Sequence, residues 1–429
     1  MKAAFYTLGC KVNQYESEYM SEVLKNAGFT IVSPNEDADY YIVNSCTVTA
    51  TADQKTRQNV RKFKRKHPNS VIILTGCMPQ AFPESAEELA EADIVLSNKN
   101  NDDILDLINK YTTDKNRIIK IEKHHSGDEF QSCKINDFNE RIRAFVKIED
   151  GCDRFCSYCI IPMSRGRVRS KNPDDLRNEV ETLGNHGIKE IVLVGINLSS
   201  YGKGKDFNIV DAVKICADNE NICRVRLGSL EPDHITDEVI DGLSKIEKFC
   251  PQFHISLQSG CDKTLQNMNR HYTAEEYKTL CQKLRTTFVD ATITTDVMVG
   301  FTDESEEDFN ESLEFVKDIE FEKVHVFPYS QREGTVASRR GDNIPKSTKE
   351  RRASIMIEAA KESRLKYFDS LIGSEQTVLF ESNEGNNIYQ GYTRNYVPVR
   401  YCSNENIIGQ EIKVTIESVD INNDICIAK

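Results

Sequence analysis

The chain has 429 residues, room for two or three domains, and its 39% hydrophobic and 29% charged content is ordinary for a folded globular protein. No apolar run approaches the roughly 18 residues of a membrane span, and residues 1–5 lead into a strand-like run rather than a signal peptide, so a cytoplasmic protein is expected. A net charge of −13 argues against nucleic-acid binding through overall charge, and 14 cysteines in a reducing compartment suit metal ligation better than a disulfide framework.

Residues 1–112 alternate apolar runs at 3–8, 40–44, 71–75 and 94–96 with helical spacing at 15–27, 50–66, 83–90 and 102–111, which predicts a small α/β sheet domain. Three of these runs end in a cysteine: Cys10, Cys46 and Cys77. Carboxyl ends of parallel strands lie together at one sheet edge, so the three thiols have a route to one point; small buried residues at strand ends are the plain alternative. Gly9 and Gly76, each just before a cysteine, suit turns that bring backbone close to a bulky group. Seven basic residues and no acid fill 55–66, with Arg57, Arg61 and Arg65 among them. Phosphate-binding faces and ordinary solvated helices share that pattern.

Residues 113–140 are polar and read as a linker, with His124 and His125 as an exposed pair. Over 141–370, runs at 144–148, 190–195, 224–228, 253–257, 293–299 and 323–327 predict a parallel, partial (β/α)6 barrel that ends in an amphipathic helix at 347–370. In such barrels chemistry sits at the carboxyl ends of the strands. The first run is followed by Cys152, Cys156 and Cys159. Three thiolates are one short of a closed zinc site, whereas a 4Fe-4S cluster held by three leaves one iron free for a ligand. Arg165, Arg167, Arg169 and Lys171 form a second local basic run. Gly195, Ile196 and Asn197, then Glu231, Gln258 and Asp296, occupy later strands or strand ends, where simple capping is one use for them.

Residues 371–429 hold runs at 376–381, 388–392, 397–401, 412–419 and 425–428 between Asn and Gly turns, which predicts a small antiparallel β-barrel. Its four basic and eight acidic residues weaken an electrostatic grip on RNA. Tyr389, Tyr392, Tyr396 and Tyr401 offer either stacking surfaces or barrel core.

The loop Cys152-x3-Cys156-x2-Cys159, with Tyr158 before the last cysteine and a strand in front, resembles the radical S-adenosylmethionine (SAM) enzymes, whose free iron chelates SAM. The run Thr7-Leu8-Gly9-Cys10-Lys11-Val12-Asn13-Gln14-Tyr15-Glu16-Ser17, with Cys46 and Cys77, extends the resemblance over the whole chain to the methylthiotransferases. It looks most like the group acting on threonylcarbamoyladenosine in tRNA. Sister groups, which act on isopentenyladenosine in tRNA or on a ribosomal-protein aspartate, usually carry Gln-Met-Asn or Pro-Lys-Asn in place of Lys11-Val12-Asn13.

The resemblance implies two 4Fe-4S clusters, one on Cys10, Cys46 and Cys77 and one on Cys152, Cys156 and Cys159. It implies a SAM site made by Tyr158, by the backbone of Gly195-Ile196-Asn197 at the methionine end, and by Glu231, Gln258 and Asp296. An OB-like TRAM domain at the C-terminus, a tRNA substrate and an electron donor such as flavodoxin or ferredoxin complete the set. Arg57, Arg61, Arg65, Arg165, Arg167, Arg169 and Arg332 are then candidate RNA contacts, and Thr335 a further residue facing substrate. One departure is Gly300-Phe301-Thr302-Asp303-Glu304, where relatives usually have Gly-Phe-Pro-Gly-Glu. A zinc- or iron-binding RNA module without catalysis is the rival reading.

Overall fold

The computed structural model describes residues 1–132 and 142–429; the expected boundary between linker and barrel, at 140/141, lies outside the described residues. Six parallel strands build the first domain: β1 (Lys2–Thr7), β2 (Thr30–Val32), β3 (Tyr40–Ser45), β4 (Val71–Gly76), β5 (Ile94–Leu96) and β6 (Ile118–Lys120). Their order is β2-β1-β3-β4-β5-β6. Helix α1 (Lys11–Asn26) packs Met20 and Leu24 on one face with Ala3, Ile42 and Ile73; α2 (Ala50–Lys66) packs Val60 and Phe63 on the other with Tyr41, Val43 and Ile72. Cover on both faces explains the nearly unbroken apolar strands. Strand β6 corrects the expected linker. Ile118 and Ile119 are too short a run to read as a strand, yet they pair with β5 and close the sheet's edge.

The central domain contains β7 (Arg143–Lys147), the short arch β8 (Glu149–Asp150) with β9 (Arg169–Ser170), then β10 (Glu190–Val194), β11 (Arg224–Leu227), β12 (Ser229–Leu230), β13 (Gln252–Ile255), β14 (Thr292–Val299) and β15 (Lys323–Pro328). Parallel pairing runs β7-β10-β11 and β12-β13-β14-β15, and a bridge between Val225 and Phe249 links the two sets. Alternation sorts the side chains. Ala144, Val146, Ile191, Leu193, Phe253, Ile255 and Ile293 join the largest apolar core, with Leu176, Val180 and Leu183 of the helix Pro173–Asn185. The intervening positions Arg226, His254, Thr294 and Asp296 line a shared cavity instead. The helix Lys346–Ser370 buries Arg352, Ala353, Met356, Ala359 and Ala360, with Arg352 bonded to Glu304 at 2.7 Å.

Strands β16 (Glu375–Gly385), β17 (Ile388–Thr393), β18 (Pro398–Cys402), β19 (Glu411–Asp420) and β20 (Ile425–Ala428) close a ring in the order β16-β17-β18-β20-β19. The expectation of a wholly antiparallel ring is corrected at β18 and β20, which run parallel. A closed ring of five strands cannot alternate direction throughout. The ring docks on the amino ends of the central strands: Arg224, the first residue of β11, donates to Tyr392 O at 2.7 Å and Thr377 O at 3.0 Å, and Thr292 donates to Asn395 O at 2.7 Å. Tyr392 and Tyr396 stack 4.7 Å apart with the Arg143 guanidinium over both, Tyr389 is core, and Tyr401 packs on Phe380. All four tyrosines are thus engaged within the protein, the second of the two uses open to them.

His124 is also corrected. Its imidazole is 8% exposed, 2.9 Å from Asn98 Oδ1 and 3.4 Å from Asp128, while His125 stays exposed. Burial, aided by Arg169, pulls its pKa from 6.5 to about 4. The unfolded chain therefore binds a proton there before the folded one does, so stability falls as pH drops below about 6.5. His124→Gln should remove about 2 kcal/mol of the stability difference that chemical unfolding shows between pH 8 and pH 5.

Candidate active site at the junction of the first two domains

Cys10 is the N-cap of α1, Cys46 follows β3, and Cys77 opens α3 (Cys77–Ala81) directly after β4. Strands β1, β3 and β4 are neighbours, with Thr7 opposite Asn44 and Ser45 opposite Gly76, so their carboxyl ends bring the three thiols together. The two glycines make the approach possible. Gly9 (φ +107°) has no space for a side chain, since a Cβ would lie 2.9 Å from Cys46 Cβ and 3.2 Å from its sulfur; at Gly76 (φ +96°) it would lie 2.4 Å from Ser45 O. Asn13 accepts from the Cys10 thiol at 3.3 Å and donates to Asn44 Oδ1 at 3.2 Å and Ser45 O at 2.9 Å. Burial pushes the Cys77 thiol up to about 12, with Arg165 opposing it.

The second triad lies between β8 and the helix Ile161–Arg165. Arg270 donates to Cys156 Sγ at 3.3 Å and to Ser256 O at 3.1 Å, and grips both carboxylate oxygens of Glu231. Burial pushes Cys152 up to about 12 and raises Cys159 as well. Arg270 is the residue that sequence reasoning missed, because its sulfur partner is 114 positions away. All thirteen described cysteines are free. Among the described residues no three His, Cys, Asp or Glu side chains close on a single ion. Two all-thiol sets are the soft donors that an iron–sulfur cluster takes, and the glycine turns let backbone pass where a Cβ would strike Cys46 or Ser45.

The expected SAM residues divide. Gly195 and Asp296 line a cavity of about 790 Å³ together with Cys10. Asp296 faces His254 Nε2 at 3.3 Å, Glu231 is held by Arg270, and Tyr158 lies edge-on to Phe301 with ring centres 6.2 Å apart. Gln258 adopts φ +67° and joins the sheet through its backbone, to Asp296 O and the Met298 amide. The backbone amides of Ile196 and Asn197 both donate to the buried Glu149 carboxylate, Asn197 at 2.6 Å. Burial raises Glu149 well above the ordinary carboxylate range, and its Oε1 has no partner among the described residues.

Charge ties the domains together. Arg165, 1% exposed, donates to Glu16 Oε2 at 3.0 Å and Asn13 Oδ1 at 3.1 Å. Lys147 bonds Glu16 at 2.9 Å and Asp150 at 2.6 Å, and Arg169 lies 3.3 Å from Asp150. Arg332 is buried against Asp53 and Thr47 of the first domain, and Thr335 turns inward onto Arg332 O. Arg165 and Arg332 therefore bridge the two domains, while Arg169 and Thr335 are bonded within the central one. Lys171 is equally buried, against Glu179. Arg61, Arg65 and Arg167 are exposed and Arg57 half-buried.

A model of the uncharacterized protein family UPF0004 matches residues 2–97 and one of the radical SAM superfamily matches residues 146–316. Over 419 residues, 96% of this chain and 93% of the relative, the sequence is 36% identical to the threonylcarbamoyladenosine tRNA methylthiotransferase MtaB of Bacillus subtilis (strain 168). The chain belongs to the radical SAM methylthiotransferase family. This methylthiotransferase is also 36% identical, over 96% of its length and 92% of the relative, to the tRNA-2-methylthio-N(6)-dimethylallyladenosine synthase of Clostridium novyi (strain NT). Its fold is shared by the radical SAM methyltransferase TsrM of Kitasatospora setae, at TM-score 0.54 and 12% identity over 76% of this chain and 72% of that one. As a radical SAM enzyme it uses SAM and iron–sulfur chemistry. No helix among the described residues of the methylthiotransferase is long and apolar enough to cross a membrane.

Arg270→Met removes a positive charge and a hydrogen bond from the Cys156 sulfur. A cluster held by Cys152, Cys156 and Cys159 should then show a lower reduction potential in a redox titration followed by electron paramagnetic resonance, while iron content holds.

Proposed function

We propose that this methylthiotransferase acts on threonylcarbamoyladenosine beside the anticodon of tRNA, placing a methylthio group on carbon 2. One observation carries the reading: two three-thiol sets on separate domains are locked together by buried ion pairs, and a cavity lined by Cys10 reaches the strand residues expected to hold SAM. Cys152, Cys156 and Cys159 would hold the cluster that binds SAM, and Cys10, Cys46 and Cys77 the second. Bound there, the clusters and SAM supply the radical and the sulfur needed at a carbon–hydrogen bond that no side-chain base breaks at neutral pH.

The chain's own part is placement. Arg270 and Glu231 shape the SAM side next to Cys156, Tyr158 and Asp296 extend it, and Asn13 orients Cys10. Arg226, His254, Lys323 and His325 make the cavity wall polar, which suits a hydrogen-bonding, carboxylate-bearing base substituent over the dimethylallyl group named for the second relative. Arg57, Arg61 and Arg65 on α2, with Arg167 beside the second triad, are the candidate phosphate contacts. The first unit, expected over 1–112, reaches residue 120 with β6, while 141–370 reads as a partial (β/α)6 barrel and 371–429 as an OB-like TRAM unit. An electron donor such as flavodoxin or ferredoxin and a cytoplasmic site go with this reading.

In cells lacking the gene, mass spectrometry of tRNA nucleosides should show threonylcarbamoyladenosine without its 2-methylthio form; an undiminished 2-methylthio signal defeats the assignment. Combined Cys10→Ala, Cys46→Ala and Cys77→Ala should lower iron from about eight to about four atoms per chain after anaerobic reconstitution, with SAM cleavage retained and methylthiolation lost.

A further inference from the structure

Five Lys and Arg residues line the cavity, and three of them have carboxylate partners: Arg226 with Glu190, Arg364 with Asp424, and Arg400 with Glu384. Among the described residues, Lys11 and Lys323 have no carboxylate within 4.0 Å, the limit for an ion pair. The charged neighbours of Lys323 are Arg364 and Asp424, on the long helix and the C-terminal ring. Lys11 is bonded to Cys10, is accessible from the cavity, and carries its ammonium 5.1 Å from the centre of the Phe145 ring. Its charged neighbours are Arg143, Arg226 and Glu190. Arg143 pairs with Glu381 and Glu190, and Arg226 with Glu190, so three cations face two carboxylates and one positive charge is left over. A cavity-lining cation without a counter-charge is a ready site for an anion small enough to enter with the substrate.

The reaction brings carbon 2 of the adenine to sulfur near Cys10, so a substituent on the amino nitrogen of the same ring lies within a few bonds of that point. In threonylcarbamoyladenosine the substituent ends in a carboxylate; in dimethylallyladenosine it ends in methyl groups. We propose that the Lys11 ammonium, set over Phe145 beside Cys10, binds the carboxylate of the threonylcarbamoyl group and selects an anionic base substituent over an apolar one. The assignment rests on the threonylcarbamoyladenosine reading above. It makes Lys11 a specificity-determining residue with no part in the radical chemistry.

The test uses reconstituted full-length enzyme and two anticodon stem-loop RNAs, one with threonylcarbamoyladenosine and one with its carboxylate blocked as the methyl ester. The two differ by a single charge, so phosphate contacts cancel. Wild-type enzyme should bind the acid about ten-fold or more tighter than the ester. Lys11→Met should reduce this ratio to near one with affinity for the ester unchanged, and Lys11→Arg should keep it. Should Lys11→Met lose iron, Lys11→Gln, which lacks the charge but keeps a donor, is read in its place. A ratio that survives loss of the charge, or a wild-type ratio of one, overturns the role of Lys11 while turnover of the acid leaves the substrate assignment standing. A wild-type enzyme that turns over only dimethylallyladenosine RNA overturns both.

Discussion

Glu16, Lys147, Asp150 and Arg165 lie out of water at the junction of the first two domains, and they are tolerable there only together. An isolated buried carboxylate would take up a proton and an isolated ammonium would lose one. Burial does push the Glu16 carboxyl upward, but Arg165 and Lys147 outweigh it and hold the group below its ordinary range. Removing one member strands its partners, a loss of about 3–5 kcal/mol for a buried pair. The position of the network matters more than its strength. Glu16 stands six residues, under two helical turns, past Cys10, and Arg165 ends the short helix that follows Cys159. One set of charges thus sets the separation of the two thiol triads.

Around that junction the central strands divide labour by alternation. Their outward side chains build the apolar core that supports the fold, and their inward ones supply the cavity's polar wall. The thiols are steadied from outside their own loops. Asn13 holds Cys10 while joining the ends of β1 and β3, and Arg270 touches Cys156 while gripping Glu231. Side chains of this kind orient ligands and tune their electronics without being ligands themselves.

The six cysteines were legible because their signal is local: fixed spacing in one case, strand ends in the other. Four strands of the first domain were legible as apolar runs, whereas β2 and β6, three residues each with two of them apolar, are too short to register. Basic runs were legible only in part. The 55–66 run lies on an exposed helix, whereas Arg165, Arg169 and Lys171, alike in composition, are taken up by acids that composition alone does not pair with them; Glu16 is 149 positions from Arg165. His124 failed for the same reason, since Asn98 and a neighbouring turn enclose a side chain that its polar surroundings in sequence make look free. The parallel pair in the C-terminal ring follows from strand-count parity, which becomes visible only once closure is known.

A junction pinned by buried charge leaves no inexpensive hinge between the two halves of the active site. Movement has to come from the other participant. Bases in an RNA loop give up stacking alone when they swing outward, a smaller deformation than parting four desolvated ions. On the proposed function the protein is the rigid partner, and selectivity would turn on how readily a loop base unstacks.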